Sequence, residues 1–331
     1  MASSESDGPF SEPIDYDEPR IDREARRLDR KPIAERARLG RRSKRRVGLL
    51  VAAYLVVLVA GTIVLSGIEG VSIGALLFPV VFVAAFVFET LDSASGMGFG
   101  TSLSPLLFGL GFSPLEVVPA LFITETITGL LAGALHHEFD NVDFSVRPPF
   151  TDASKAVLLL ATVGILGTFG SVMVAYLVVE LPAGAIESYV ALVVIGMGVF
   201  GLVRPYLPES TTYRPRRLAG FALLAGINKG ISGGGYGPVV TLGQIFAGVY
   251  EKTATAITSL SEGLVSAVGA ITYAGLFAAG LPIDYVLFPS LLTGAVFAAI
   301  AAPYLVRVLP GRVFEVLIPV YAFSIGIFAL L

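Results

Sequence analysis

The sequence contains no cysteine and no tryptophan, and two of its 331 residues are histidine. The absence of cysteine excludes disulfides, thiolate metal sites and a cysteine nucleophile, and the scarcity of histidine weakens the case for a metal centre. Charge is scarce as well, because 15% of the residues are charged where a soluble domain carries about 25%. With 54% hydrophobic residues and a mean hydropathy of +0.78, the composition indicates an integral membrane protein, and no cofactor is expected.

The few charges are concentrated at the N-terminus. Residues 1–24 are polar and acidic, and 13 of the 23 Lys and Arg residues fall between Arg20 and Arg46. We predict that residues 1–46 form a cytoplasmic tail that is disordered or loosely helical, because they cannot bury an apolar core. The basic run is interpreted as a topology anchor that contacts lipid. It lacks interleaved aromatic residues and adjoins an apolar stretch, so a nucleic-acid partner is not expected.

Nine apolar stretches are long enough to cross a bilayer, which takes about 20 residues. They lie at roughly 47–66, 72–91, 115–136, 153–179, 185–204, 216–231, 252–277, 284–304 and 312–331, and two shorter apolar pieces lie at 101–111 and 237–249. The chain is thereby divided into the tail 1–46, an extra N-terminal span 47–71, a first repeat 72–204, a cytoplasmic linker 205–215 and a second repeat 216–331.

Two glycine clusters match each other, one in each half of the chain. They are Ser95-Gly96-Met97-Gly98-Phe99-Gly100 and Ser232-Gly233-Gly234-Gly235-Tyr236-Gly237. The offset that carries Gly96 onto Gly233, which we call the repeat shift, also carries Glu125 onto Glu262. A glycine-rich break at membrane depth leaves backbone groups unpaired, so it persists only where it faces a cavity or other protein. Breaks at matching positions of two halves indicate the binding site of a transporter.

The remaining basic residues decide how the glycine-broken units cross the membrane. Nine of the ten lie in or beside four loops: Arg147 and Lys155; Arg204, Arg214, Arg216 and Arg217; Lys252; Arg307 and Arg312. All four loops share the cytoplasmic side only if each broken unit enters the membrane and returns. We therefore expect an all-α polytopic protein of the cell membrane with a cytoplasmic N-terminus. Its two inverted structural repeats each contain a re-entrant hairpin plus three spans.

The glycine breaks also supply a predicted anion site, because free backbone N–H groups, helix N-termini and nearby hydroxyls all attract oxyanions. The candidate substrate-binding residues are Gly96, Gly98, Gly100, Thr101, Ser102, Asn228, Lys229, Ser232, Gly233, Gly234, Gly235, Tyr236 and Gly237. The alternative interpretation of these glycines is close helix packing through small residues.

Lys229 lies outside the four basic loops, and a lysine at membrane depth is costly enough to suggest a function. Three interpretations stay open: it attracts an anionic substrate, it forms a structural ion pair with Asp92, or it reaches the membrane interface. Glu125 and Glu262 lie in the middle of predicted spans, and together with Asp92 they are candidates for gating or proton coupling. A structural role for both glutamates, capping broken backbone, stays open as well.

Catalytic and metal chemistry have little support in the sequence. The segment His136-His137-Glu138-Phe139-Asp140 has the residue types of a metal site, but it falls at the end of a predicted span, where histidine suits a helix C-terminus. We interpret it as an interfacial loop. Ser95 and Ser232 precede glycines, yet no histidine is placed to act as a base for them, so an enzyme is not expected.

The same residues carry a resemblance to the sulfite exporter TauE/SafE family of membrane permeases. Segments 95–105 and 232–238 are similar to the two glycine-rich elements of the family, and segments 120–124 and 256–259 resemble the motifs of the spans that follow. His136 with segment 141–144 resembles the histidine and Val-Asp segment of the family. The first cluster lacks a triple glycine, and Pro238 comes earlier than usual. The resemblance covers about residues 72–331 and implies transport of sulfite, sulfonates or other small organic anions.

The leading hypothesis is therefore a proton-coupled secondary transporter of a small anion that works by alternating access within the lipid bilayer. The alternative is an ion channel, because Gly98-Phe99-Gly100 and Gly235-Tyr236-Gly237 resemble the carbonyl-lined filter of potassium channels. Four copies of such a filter would need a homodimer, and a homodimer stays open. A membrane-embedded enzyme is the third hypothesis.

Overall fold

A computed structural model describes residues 20–66, 78–177, 214–281, 284, 286–328 and 330, together with isolated positions between 188 and 203. Half of the predicted span 185–204 lies outside these residues, as do residues 1–19, the start of the span 72–91 and the linker up to residue 213. Every regular element in the described part of the chain is helical, so the all-α prediction is confirmed there.

Twelve α-helices follow one another along the described residues, after a 3₁₀ turn at Arg20–Asp22. They are α1 Arg23–Asp29, α2 Ile33–Arg36, α3 Arg41–Ser66, α4 Pro79–Ser95, α5 Phe99–Gly109, α6 Pro114–Glu138, α7 Asp152–Leu177, α8 Pro215–Ser232, α9 Tyr236–Phe246, α10 Glu251–Ala278, α11 Phe288–Val308 and α12 Gly311–Phe328. Five of them, namely α6, α7, α10, α11 and α12, are long and apolar enough to cross a membrane.

Helix α3 contains the predicted N-terminal span and lies at the periphery of the bundle. Large apolar side chains along it are exposed, among them Leu49, Val56, Val57 and Ile63. An exposed apolar helix of this length fits contact with lipid rather than with water. Its start is tied to the other helices by Arg46, whose guanidinium pairs with Glu138 at the end of α6.

Part of the predicted N-terminal tail is helical and contacts the rest of the protein. Residues 20–36 fold into the 3₁₀ turn, α1 and α2, and they bury Ile21, Ala25 and Leu28 against the rest of the protein. These three residues are spaced i, i+4, i+7, which places them on one face of a helix. The prediction for the tail was based on its many charged residues and did not take this apolar face into account.

The helices are broken at both predicted positions, and the first helix of each pair ends in the same way. Helices α4 and α8 each end in a left-handed glycine, Gly96 at φ 74° and Gly233 at φ 76°, and a short non-helical stretch then separates each from α5 or α9. Glycines with positive φ also precede each short helix, at Gly98 and Gly235, and follow it, at Gly111 with φ 94° and Gly248 with φ 91°. Glycine is favoured at such angles because a side chain would be strained there.

The two halves of the chain interlock. Helix α4 of the first half packs most extensively on α11 of the second half, and α8 of the second half packs most extensively on α7 of the first. The repeat shift relates α4 to α8 and α7 to α11, so these two contacts are equivalent. The long helices α6 and α10, which are also equivalent, pack along each other and carry Glu125 and Glu262.

Candidate functional site

The two glycine breaks lie directly against each other and are buried. The hydroxyl of Thr101 accepts a hydrogen bond from the Gly235 N–H at 2.8 Å. In the opposite direction, the hydroxyl of Thr241 donates to the carbonyl of Gly96 at 2.6 Å. Each half thus supplies a partner for backbone that the break in the other half leaves unpaired, which is what buried polar backbone requires.

Side chains are excluded where the breaks touch. A Cβ atom on Gly100 would lie 2.5 Å from the Gly233 carbonyl oxygen, and one on Gly234 would lie 2.6 Å from the Gly100 carbonyl carbon. A Cβ atom on Gly237 would come within 2.6 Å of the Gly96 carbonyl oxygen. The close-packing interpretation therefore holds at these glycines, and in this conformation no solute fits between Gly100 and Gly234.

Lys229 bridges Glu125 and Glu262 beside the breaks. Its Nζ atom lies 2.5 Å from Glu125 Oε2 and 2.8 Å from Glu262 Oε1. The lysine is fully buried, and the two glutamates are 3% and 6% exposed. Of the three interpretations of Lys229, the interfacial one is wrong, and its ion pairs are with Glu125 and Glu262 rather than with Asp92.

This group, which we call the triad, joins both halves of the chain. Glu125 comes from α6 in the first half, whereas Lys229 and Glu262 come from α8 and α10 in the second. The Lys229 ammonium also lies 5.6 Å from the ring centre of Phe122 and 5.8 Å from that of Tyr236. These aromatic faces stabilise the ammonium, but its counter-charge comes from the two carboxylates.

The triad has more negative charge than positive charge. Two carboxylates share one ammonium, so the group carries a net charge of −1 when both are ionised, and buried excess charge is unfavourable. Glu262 Oε2 finds no hydrogen-bond partner among the described residues. The oxygen that Lys229 leaves free on Glu262 is thus available to a proton.

Two further carboxylates lie close enough to interact electrostatically with the triad. Asp92 accepts a hydrogen bond from the Phe99 N–H at 3.2 Å and thereby caps the start of α5. Glu89 accepts the Ser93 hydroxyl at 2.6 Å. Both are buried, so the described part of this site holds four carboxylates and one lysine.

Asn228, next to Lys229, has unused hydrogen-bonding capacity. It is fully buried, and neither atom of its amide group has a hydrogen-bond partner among the described residues. An unpaired buried amide costs about 1–3 kcal/mol, so it persists where function or a bound solute explains it. Asn228 can both donate to and accept from a small polar ligand.

Three buried groups at this site, Ser104, Thr241 and Glu89, are not among the candidate binding or coupling residues, although Ser104 is one of the hydroxyl residues that follow the first break. Ser104 and Thr241 are related by the repeat shift, and each donates its hydroxyl to a carbonyl of the opposite break. The Ser104 hydroxyl reaches the Ser232 carbonyl at 3.0 Å. Applying the repeat to hydroxyl residues would have found this pair. Glu89 aligns with Gly226, so the repeat gives no signal for it.

The interpretation of His136 as part of an interfacial loop is wrong. His136 is fully buried, its Nε2 atom lies 3.1 Å from the Ser93 carbonyl oxygen, and its Nδ1 atom lies 3.0 Å from the Asn141 amide nitrogen. The amide of Asn141 also donates to the Pro303 carbonyl at 2.8 Å. The histidine therefore links α6 to α4. Within the described ranges, no three His, Asp or Glu side chains form a group that could hold a metal ion.

Comparison with known proteins provides independent information on this chain. A family model described as "Sulfite exporter TauE/SafE" matches residues 81–329. One curated relative is "Probable membrane transporter protein YtnM" of Bacillus subtilis (strain 168), which is 25% identical over 160 residues, or 46% of this chain and 49% of the relative. The chain thus matches about half the length of that relative. No solved structure matches it.

Proposed function

The chain belongs to the sulfite exporter TauE/SafE family of membrane transporters, and from that premise we propose that it is a secondary transporter that moves a small anion together with a proton. The proposed substrates are sulfite, an organosulfonate or a related small organic anion. One observation carries the proposal: a fully buried lysine, held by one carboxylate from each half, lies beside two broken helices.

The charge of the triad supports proton coupling. Lys229 is already more than neutralised, so an anion that approaches it meets net repulsion. At about 4 Å and an effective dielectric constant of about 20, each such pair of like charges is unfavourable by about 4 kcal/mol. A proton on Glu125 or Glu262 removes one negative charge and releases the ammonium. Proton binding and anion binding therefore favour each other, and the two ions travel in the same direction.

Recognition of the anion would combine three groups. Lys229 supplies the charge, and the unpaired amide of Asn228 supplies a donor for an oxyanion. The breaks add backbone N–H groups at the starts of α5 and α9, which Asp92 and Thr101 occupy in the present conformation. Since no solute fits between the touching glycines, the two breaks must separate before these N–H groups can bind an anion.

Alternating access is supported by the way the two halves are built. Each half has a broken helix pair of the same form, and each pair is held by a long helix of the other half. Lys252 and Arg307, from two of the four basic loops, bond to the segment 20–36 at one end of the bundle. The inverted, re-entrant topology requires the basic loops to lie on the same side of the membrane as the N-terminal segment.

A flux assay on the purified protein in liposomes tests this function. We expect sulfite or methanesulfonate to move faster down an imposed pH gradient, because protonation of the triad frees Lys229. Lys229→Met should abolish the flux, and Glu125→Gln with Glu262→Gln should remove its dependence on the gradient. Glu138→Gln, at the far end of α6, is the matched control and should behave as the wild type. If flux through the variant that carries both Glu125→Gln and Glu262→Gln still depended on the pH gradient, the proton role would be ruled out.

A further inference from the structure

Residues 20–36, which we call the strap, precede the family match at 81–329 yet pack tightly on it. Their apolar face is almost fully covered: Ala25 is 1% exposed and Leu28 is 3% exposed. On the polar side, the guanidinium of Arg26 lies 4.6 Å from the ring centre of Tyr250. The strap is therefore docked on the end of the bundle where α10 begins.

Asp29 is the centre of the docked interface. Its Oδ1 atom accepts from Lys252 Nζ at 2.5 Å and from Arg36 Nη1 at 2.8 Å. Its Oδ2 atom accepts from the Gly311 N–H at 2.8 Å and from the Tyr250 hydroxyl. Lys252 is fully buried, so the strap supplies the counter-charge of a buried cation inside the family region.

Asp22 of the strap caps the N-terminus of α10, whereas the equivalent helix α6 in the first half is capped by a carboxylate of its own. At the start of α6, the N–H of Ser113 donates to Glu116 of the same helix at 2.7 Å. The repeat shift aligns Ser113 with Tyr250 and Glu116 with Thr253. At the start of α10, the N–H of Tyr250 donates instead to Asp22 of the strap at 3.0 Å. The strap thus completes the N-terminus of α10, the helix that carries Glu262.

Hydrogen bonds extend from the strap to the first half of the chain through Arg307. The Nε atom of Arg307 donates to the Arg36 carbonyl at 2.8 Å, and its Nη1 atom donates to Asp140 Oδ2 at 3.3 Å. Nη1 also donates to the Phe139 carbonyl, just after α6. One continuous network therefore joins the end of α6, the start of α10 and the turn between α11 and α12.

We propose that the strap is an intramolecular latch, which holds this end of the transporter closed and must leave the start of α10 before the end opens. The inference rests on the proposed alternating access. The turn between α9 and α10 follows the second glycine break, so this break cannot move away from the first while Asp22 and Asp29 hold that turn. Release of the strap uncovers the buried Lys252 and uncaps α10, so the docked strap favours the closed state.

The absence of native cysteine allows a direct test with single-cysteine reporters. Thr255→Cys places a thiol at a fully buried site one turn into α10, the helix whose start is capped by the strap. Val172→Cys places a thiol at a fully buried site on α7 and serves as a control for general loosening. Each reporter is combined with Asp29→Asn, which removes the counter-charge, or with Glu24→Gln, a partly exposed carboxylate on the same helix. A hydrophilic thiol reagent is then added to the protein in detergent, where it reaches both ends of the bundle, without any transported anion.

Asp29→Asn should increase the rate of modification at Thr255→Cys by about tenfold, because losing charge-assisted hydrogen bonds raises the population of the open end. Modification at Val172→Cys should stay at the rate of the parent, and Glu24→Gln should change neither rate. Equal rates at Thr255→Cys with and without Asp29 would overturn the latch. Faster modification at both reporters would also overturn it, because the strap would then be a general stabiliser. Since no substrate is present, failure here is distinguishable from failure of the flux assay.

Discussion

At the scale of single residues, the proposed function depends on a buried imbalance of charge. A buried ion pair is weak evidence for stability, because the cost of removing two charges from water offsets much of their attraction. The triad goes further, with two carboxylates on one ammonium that is fully buried. Such a group is unfavourable for stability alone, which is why a transport role explains it better than a structural one.

The stability of two variants tests whether the excess buried negative charge of the triad destabilises the protein. Lys229→Met should lower the free energy of unfolding by about 3–5 kcal/mol, because it leaves two buried carboxylates without a cation. Adding Glu125→Gln and Glu262→Gln to Lys229→Met removes the uncompensated charges and should restore part of that loss. Thermal melting in detergent measures both. If the triple variant melts below the single variant, the carboxylates are not the source of the cost.

The sequence predicted that these three residues matter but not that they meet. Glu125 and Glu262 were identified through the repeat, and Lys229 by its position outside the basic loops. The repeat suggested Asp92 as the partner of Lys229, because the repeat shift carries one onto the other. A repeat identifies equivalent positions, whereas the pairing of side chains depends on how α6, α8 and α10 pack. The burial of His136 was not predicted for the same reason, since its partner Ser93 belongs to α4 and its partner Asn141 is held by Pro303 of α11.

At the scale of elements, the two broken helix pairs are defined by glycines for two different physical reasons. Gly96 and Gly233 are needed because the chain turns there with positive φ. Gly100 and Gly234 are needed because the opposite break approaches too closely for a side chain. The sequence predicted the breaks from glycine content alone, but it could not distinguish the turning positions from the contact positions. The close contact of Gly100 with Gly233 and Gly234 leaves no open pore between the breaks in this conformation.

A pair of glycine substitutions on one helix separates these roles. Gly100→Ala should lower both the melting temperature and the rate of transport, because its Cβ atom would lie 2.5 Å from the Gly233 carbonyl oxygen. Gly109→Ala on the same helix has nothing within 4 Å of the added Cβ atom, and it should be neutral or stabilising by up to about 1 kcal/mol. Equal effects of the two substitutions would contradict the close contact of the breaks.

Docking of the strap should depend on pH through Asp22. Burial raises the pKa of Asp22 to about 6 from its usual 3.8, against the opposing effects of the Tyr250 N–H and Arg26; Glu251 on the start of α10 raises it further. The docked strap therefore binds a proton more tightly than the undocked strap. This contribution to docking is complete below pH 3.8 and is lost as the pH rises through about 6.

Hydrogen exchange of residues 23–29 measures this dependence. After correction for the intrinsic exchange rate, protection in the wild type should fall between pH 4 and 6 by up to about 100-fold, and it should be level above that range. Asp22→Asn keeps an acceptor for the Tyr250 N–H but cannot titrate, so its protection should stay level throughout. The same fall in protection in Asp22→Asn would assign the effect to another group.

At the scale of the whole molecule, the proposed alternating access requires that a change at the triad move one half against the other. The triad joins α6 to α8 and α10, and each broken pair is held by a long helix of the opposite half. Composition and the repeat were enough to predict a helical membrane protein with two related halves. The interlocking of the halves and the strap could not be predicted, because both depend on contacts between residues far apart in sequence.

The proposed function couples a proton to the anion, and it can be measured as the number of protons that enter with each anion. Liposomes containing the protein and an internal pH dye receive an inward gradient of labelled methanesulfonate, without an initial pH gradient. A sulfonate remains charged at neutral pH, so acidification of the interior reports protons that the transporter carries. We expect about one proton for each anion, from the one excess negative charge of the triad. Entry of the anion without acidification would contradict the account.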